Sequence, residues 1–247
     1  MIRRNIYRMY KLLENMIVPN VKYAQTVYEE YLVKIIEKDS VWLDLGCGRR
    51  LLPEWRSAQE KILINQCKVL VGYDGDINSL KDNDSIKMKI MGDIDSLPVR
   101  NEVFDIVSAN MVLEHLKCPD NAFREIKRIL KPGGIFIFHT PNRKGYVNIL
   151  GNMIPNVFRN TLIVFLEGRT EKDIFKTYYE INTIQKIEKI AFSTGLNIVE
   201  LKMITSTAAS AMLLPLSIIE LIWIRILSFE RFTKYRTNII GIMEKRL

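Results

Sequence analysis

The chain is short of the residues that most often ligate metals or carry acid-base chemistry, with two histidines and three cysteines among 247 residues. Cys47, Cys67 and Cys118 lie far apart, without the paired spacing of a metal site or a disulfide framework. No metal is therefore expected, and a reducing cytoplasm is. There is no internal repeat and no low-complexity stretch. The opening "MIRRNIYRMYKLL" interrupts its apolar residues with arginines too often for the hydrophobic region of a signal peptide. No platform of interleaved aromatic and basic residues favours nucleic acid as a partner.

What is present is an excess of one charge sign on an ordinary apolar background. The formal net charge is +8 and 48% of the residues are hydrophobic. Such an excess suits an anionic lipid surface or a phosphorylated substrate, or else a set of solvated lysines. The length fits one α/β domain, residues 1–247, with a sizeable core and room for insertions.

From residue 41 onward, short apolar runs alternate with helical patterns. The strand candidates are Val41–Leu45, Val69–Tyr73, Ile86–Met91, Phe104–Ala109 and Ile135–Phe138; uninterrupted runs of this kind suit a parallel sheet covered on both faces. In "PDNAFREIKRILKPGG", Asp120 is placed to cap a helix that buries Phe123, Ile126, Ile129 and Leu130 and stops at Pro132-Gly133-Gly134. A helix over Thr183–Ser193 closed by Gly195, a strand over Leu196–Ile204 and a last strand over Asn238–Lys245 follow. Alternation implies right-handed crossovers and a doubly wound sheet, with ligands at the carboxyl ends of its strands.

The residues after each strand carry the chemistry. "DLGCG" follows the first: its glycines permit a tight turn and close backbone approach at the amino end of the next helix. "GYDGD" follows the second, where Asp74 can accept hydrogen bonds from both hydroxyls of a ribose and Asp76 can cap the helix starting near Ile77. "GDIDSLP" follows the third, where Asp93 could meet an adenine amino group and Ile94 its face; a plain capped turn is the alternative. "SANMVLEHL" follows the fourth and sets Asn110, Glu114 and His115 in an apolar segment.

In this order and spacing, "VWLDLGCG", "VGYDGD", "GDIDSLPVRNEVFDIVSANMVLEHL" and "EIKRILKPGGIFIFHTPN" resemble the class I S-adenosylmethionine-dependent methyltransferases, over about residues 40 to 142. The resemblance implies a seven-stranded Rossmann-like sheet whose antiparallel last strand is "NIIGIMEKRL". It implies S-adenosylmethionine as cofactor, with Asp44, Gly46, Cys47 and Gly48 at its methionine end, Asp74 and Gly75 at the ribose, Asp93 and Ile94 at the adenine, and Asn110 beside them. A pyrophosphate-binding dinucleotide loop needs a third glycine where this chain has Arg50. S-adenosylmethionine has no phosphate, so the missing glycine argues against a nicotinamide enzyme. Arg49 and Arg50 stand either exposed to solvent or against the methionine carboxylate.

Two stretches exceed a minimal domain, 143–179 and 205–236, and both leave the carboxyl end of a strand, on the cofactor face. They are expected to roof an acceptor site. Met203 to Ile219 is uncharged, but two membrane crossings would need roughly 40 residues, so an interfacial or lid helix interrupted at Pro215 is expected. Arg225, Arg231, Lys234 and Arg236 flank it; Arg143, Lys144, Arg159 and Arg169 flank the other. In the amino-terminal helical segment, 1–38, Ile2, Ile6, Met9, Leu13 and Ile17 recur at helical spacing among arginines. Basic amphipathic segments are drawn to anionic lipid; the alternative is that all three pack on the domain with their arginines solvated. The protein is thus expected in the cytoplasm, with a peripheral place at the inner face of the membrane as the finer expectation.

"LLPEW", "TPNRKGY", "GRTEKDIFKTYYEINT" and "FERF" are similar to a methyltransferase subgroup (type 11-like) linked to surface polysaccharide synthesis. The implied acceptor is a sugar hydroxyl on a lipid-linked or nucleotide-linked glycan. The alternatives are a small quinone-like or phenolic acceptor, and a non-catalytic cofactor-binding subunit. A hydroxyl acceptor gains from a general base. His139, which leads into the first insertion, is preferred over His115, and Tyr178 and Tyr179 are candidates to line the acceptor pocket.

Overall fold

Val41–Leu45, Val69–Asp74 and Phe104–Asn110 are buried along most of their length, as apolar strands covered on both faces are. The structure, a computed structural model, describes residues 2–153 and 175–246. Its strands are β1 (Val41–Leu45), β2 (Val69–Asp74), β3 (Met88–Met91), β4 (Phe104–Asn110), β5 (Leu130–Pro141), β6 (Asn197–Ile204) and β7 (Asn238–Glu244). They form one seven-stranded sheet in the order β3-β2-β1-β4-β5-β7-β6. β1 pairs in parallel with both β2 and β4, and β3 and β5 extend the parallel set outward. β7 runs against β5: the Gly133 amide donates to the Lys245 carbonyl at 2.7 Å and the Lys245 amide to Gly134 at 3.0 Å. This is the doubly wound, Rossmann-like methyltransferase sheet with its antiparallel last strand. The strand order reverses on either side of β1, which places a crevice at the carboxyl ends of β1, β2 and β4.

The helices are α1 (Ile2–Ile17), α2 (Ala24–Ile35), α3 (Ser57–Gln66), α4 (Ile77–Asp82), α5 (Pro119–Ile129), α6 (Tyr146–Met153), α7 (Ile184–Thr194) and α8 (Leu214–Leu227). α5 buries Ala122, Phe123, Ile126 and Ile129 against the sheet. The Phe123 ring meets Phe136 edge to face at 5.4 Å, an arrangement favoured by the ring quadrupoles. Asp120 does not cap this helix; Cys118 holds the cap position without a side-chain bond, and Asp120 sits in the first turn, where its charge suits the helix dipole. Nor do Pro132-Gly133-Gly134 end it, since α5 stops at Ile129 and the chain enters β5 at once. α7 follows expectation: the Thr183 hydroxyl accepts from the Lys186 amide, and Gly195, at φ +69°, closes the helix.

The chain divides into two compact units. The larger holds Val27–Thr140, Thr177–Lys202 and Ile239–Leu247, and with them nearly all of the sheet. The smaller gathers three segments distant in sequence, Met1–Thr26, Pro141–Lys176 and Met203–Asn238. In it α1 and α8 share a core of Tyr10, Val18, Leu221 and Ile224, with Leu13, Ile17 and Leu214 packed on it. Met9, expected on the inward face, is 54% exposed, and Tyr10 takes its place. Pro215 begins α8 rather than interrupting it, because the first turn needs no amide from that position.

Two carboxylates hold the smaller unit together. Glu14 is 5% exposed, and its Oε1 accepts from the hydroxyls of Tyr10 at 2.6 Å and Tyr23 at 2.7 Å. Glu220 accepts from the Tyr146 hydroxyl at 2.8 Å, the Ala209 and Ser210 amides at 2.9 and 2.8 Å, and the Ser210 hydroxyl. Glu14 is buried and Glu220 half-buried, and a carboxylate withdrawn from water needs partners of this number. No helix among the described residues is long and apolar enough to cross a membrane.

Candidate active site

The loop after β1 is shaped by glycine. Gly46 sits at φ +65°, and a Cβ there would meet Val112 Cγ2 at 2.4 Å, so conformation and space both demand glycine. Gly48, at φ +50°, faces open space. The Gly46 and Cys47 amides donate to the Tyr73 carbonyl at 2.7 and 3.1 Å, which ties the loop to the end of β2. Asn83 secures it from below, its Nδ2 donating to the Gly48 carbonyl at 3.0 Å. Cys47 is buried, its thiol packed toward Gly72 and pushed up in pKa by burial and the Asp44 and Asp74 carboxylates. It therefore meets the loop's surroundings through its backbone. No α-helix begins at the end of this loop, as the sequence had suggested; α3 starts at Ser57, after a 3-10 turn over Glu54–Arg56. A pyrophosphate site would need that helix end.

Asp74 ends β2. Its Oδ2 accepts from the Gly48 amide and its Oδ1 from the Asp76 amide, each at 2.8 Å. An ionised carboxylate offers about four lone-pair sites, so these two bonds orient Asp74 and leave it capacity for a ligand's hydroxyls. Gly75, next to it, is exposed. Asp76 caps α4, accepting from the Asn78 and Ser79 amides. After β3, Asp93 is exposed and its Oδ1 accepts from the Asp95 amide at 3.0 Å, a capped turn, with Ile94 half-buried beside it. The turn reading of Asp93 is thus the one seen, with one of its oxygens binding its own turn.

Beneath the loop lies a buried polar pair. Asp44 is 3% exposed and accepts from the Ser108 hydroxyl at 2.5 Å; Ser108 in turn accepts from Trp42 Nε1 at 2.7 Å. Burial lifts Asp44 to about 7, despite the Ser108 bond. Tyr28 is 1% exposed, and its hydroxyl lies toward Ser108 and Asp44 yet makes no hydrogen bond among the described residues. A buried hydroxyl without a partner is costly, so this one marks a place built for a further polar group.

The Tyr28 ring packs on His139, with centroids 5.8 Å apart. His139 is 5% exposed, and burial lowers it to about 4, so it is neutral at pH 7. Its Nδ1 stands 2.8 Å from Asn110 Oδ1, which can only accept. In the tautomer that makes this bond the proton is on Nδ1 and Nε2 is the basic nitrogen. His115 lies one turn past β4, its side chain 31% exposed and its Nε2 4.0 Å from Glu114 Oε1. The Glu114 carbonyl accepts from the Tyr178 and Tyr179 amides at 2.8 and 3.2 Å, and its buried carboxylate from the Thr140 hydroxyl at 3.0 Å. The sequence placed Tyr178 and Tyr179 near the acceptor; their backbone is indeed bonded to the segment after β4. "GRTEKDI" and the basic residues Arg159 and Arg169 lie outside the described residues.

Tyr28, Ser108, Trp42 and Asn83 were missed. Each serves through a contact with residues far along the chain; Trp42 and Ser108 stand inside the quoted stretches, but nothing there singles them out. Arg49 bonds the exposed Asp82 at 3.2 Å, so it has a structural partner at the end of α4.

Methyltransferase-domain proteins as a family match residues 21–178. The chain belongs to that family. Among its relatives, an uncharacterized protein of Methanocaldococcus jannaschii is 32% identical over 141 residues, 56% of this chain and 51% of that one. The malonyl-[acyl-carrier protein] O-methyltransferase of Buchnera aphidicola is 29% identical over 98 residues, 40% of this chain and 38% of that one. The chain thus spans about half or less of the length of these curated relatives. A putative methyltransferase of Haloferax volcanii, solved with its Trm112 activator, superposes with a TM-score of 0.58 at 17% identity, covering 89% of this chain and 88% of that one. An S-adenosylmethionine-dependent methyltransferase of Mesorhizobium loti gives 0.58 at 15% identity, covering 90% and 97%. Both likenesses are of fold. The cofactor of this methyltransferase family is S-adenosylmethionine, and the residues present fit it: two glycines at positive φ, an oriented carboxylate at Asp74, and the buried hydroxyl of Tyr28.

Proposed function

We propose that this protein is an active S-adenosylmethionine-dependent O-methyltransferase whose acceptor is a sugar hydroxyl on a lipid-linked or nucleotide-linked glycan. One observation carries the reading of a hydroxyl acceptor: a neutral, buried His139, oriented by Asn110, at the carboxyl end of β5. The bound cofactor supplies a methyl group activated by its sulfonium. The chain's own residues do the rest. Asp44 and the 46–48 loop hold the methionine end, Asp74 with Gly75 the ribose, and Asp93 with Ile94 the adenine. As the acceptor oxygen gains its methyl group it loses a proton, and His139 Nε2 receives it; His115 is the second candidate. Tyr178 and Tyr179 border the acceptor, and residues 143–179 and 205–236 set its choice. Such an acceptor is made at the cytoplasmic face of a membrane, where we place the protein as a peripheral component.

The relative named as a malonyl-[acyl-carrier protein] O-methyltransferase supports oxygen as the acceptor atom. A small phenolic or quinone-like acceptor is the second reading, favoured by the apolar α8. Calorimetry with S-adenosylmethionine on wild type and Asp74→Ala tests the foundation: wild type binds, and the variant loses most of its affinity. Release of S-adenosylhomocysteine in the presence of membrane lipid extract separates an enzyme from an inert binding subunit. Mass spectrometry of the product then distinguishes a methylated glycan from a methylated phenol, and a phenolic product would overturn the glycan reading.

A further inference from the structure

α8 faces two ways, and both ways are apolar. Its inner residues Ser217, Leu221, Ile224 and Leu227 are buried. On the opposite arc, Leu216, Ile218, Ile219, Ile222 and Trp223 are 51, 37, 65, 49 and 37% exposed. At 100° per residue these five cover nearly half of the helix circumference without one charged residue between them. The two charges α8 carries are spent elsewhere: Glu220 on the 209–210 amides and Tyr146, and Arg225 on the Ile17 carbonyl at 2.6 Å. A surface helix whose outer arc is wholly apolar is covered by something.

The charges of the same unit say by what. α1, packed on α8, presents Arg4, Arg8 and Lys11 in succession along one side, bordering a cavity of about 410 Å³. Arg231 and Lys234 follow α8, and the chain as a whole carries +8. A second copy would bring like charge, Arg231 and Lys234 among it, to the end of α8. An anionic bilayer supplies both hydrocarbon for the arc and phosphates for the arginines. No described helix is long enough to cross it. We infer that the outer arc of α8 is a membrane-docking element, which inserts Leu216, Ile219, Ile222 and Trp223 among the acyl chains of an anionic monolayer while neighbouring arginines hold its headgroups. The inference rests on the peripheral placement proposed above and names the surface that achieves it.

The test uses the full chain and vesicles of equal parts phosphatidylcholine and phosphatidylglycerol, with phosphatidylcholine alone as control. Wild type is expected to co-sediment with the mixed vesicles, and Ile219→Glu/Ile222→Glu to bind about tenfold more weakly or worse. Both substituted positions are exposed, so the variant's unfolding midpoint should match wild type. A second measurement avoids that variant altogether. In Trp55→Phe, Trp42 is buried in the sheet and Trp223 is the accessible indole; brominated lipid should quench it. No binding to the mixed vesicles, binding unchanged in the double variant, or an unquenched Trp223 would each overturn the inference. So would a wild-type dimer that the double variant dissociates, which would assign the arc to a second copy. Vesicle binding without methyl transfer to lipid extract would sink the activity alone; methyl transfer without vesicle binding would sink the docking alone.

Discussion

The two units of this protein are built by opposite strategies. The sheet unit takes most of its residues from one continuous run, Val27 to Thr140, in which each strand and the helix after it are neighbours in sequence. The helical unit is assembled from three segments, and its defining bonds span the chain: the Ala208 amide to the Tyr10 hydroxyl, and Arg225 to the Ile17 carbonyl. The first carries its chemistry in loops at strand ends. The second spends the carboxylates of Glu14 and Glu220 on holding itself together. Stability and cofactor binding should therefore separate between them.

The largest effect is expected from Gly46→Ala. Left-handed backbone costs about 1 to 2 kcal/mol for a residue with a Cβ, and the clash with Val112 adds about as much again. Urea unfolding should show a loss of about 2 to 4 kcal/mol, and calorimetry the loss of cofactor binding. Gly48→Ala, which meets only open space, should cost about 1 kcal/mol. Next comes Glu220→Leu in the helical unit. It strands the Tyr146 and Ser210 hydroxyls and two amides, and should cost about 2 to 3 kcal/mol while leaving S-adenosylhomocysteine affinity unchanged. A parallel fall in affinity would break the separation of the units.

The third prediction concerns pH and stays within the sheet unit. Asp44, raised to about 7, binds its proton more tightly folded than unfolded, so its contribution falls as pH rises from about 4 to 7. His139, lowered to about 4, binds its proton less tightly when folded, so its contribution rises between about 4 and 6.5. The slopes oppose each other, and wild-type stability should be nearly level across this window. Asp44→Asn removes one slope and should expose an increase of up to about 1.4 kcal/mol per pH unit, read by chemical denaturation at several pH values. A level profile in the variant would contradict the buried state of His139. The smallest effect is Arg49→Ala. Its pair with Asp82 is exposed, and unfolding should shift by less than about 0.5 kcal/mol.

What could be read from the sequence follows the same division. The strands of the sheet and the loops at Gly46, Asp74 and Asp93 were legible because each depends on local pattern: an apolar strand, then a residue type suited to a turn or a ligand. Thr183 and Gly195 were legible for the same reason. Asp120 misled because a cap is decided by the backbone entering the helix, and here that backbone belongs to Cys118. Met9 misled because an apolar residue at helical spacing fits either face, and the choice fell to Tyr10, whose hydroxyl meets Glu14. Tyr28 and Ser108 were invisible: nothing in "QTVYEEYL" or "VSANM" foretells that they converge beside Asp44. The three basic, apolar segments were each noticed, but their gathering into one unit depends on contacts that sequence spacing cannot reveal.

Cys47 gives the cofactor loop a clock. Its thiol is buried beneath the loop and held in the protonated form, whereas Cys118 is exposed. With the half-buried Cys67 replaced by serine, a thiol reagent will modify Cys118 at once and Cys47 only when the loop lifts from Gly72, so the slow phase of labelling counts openings directly. Ligand that seats on Gly46, Gly48 and Asp74 must slow that phase in proportion to its occupancy. A single native side chain thus reports how often the site breathes and which molecules stop it.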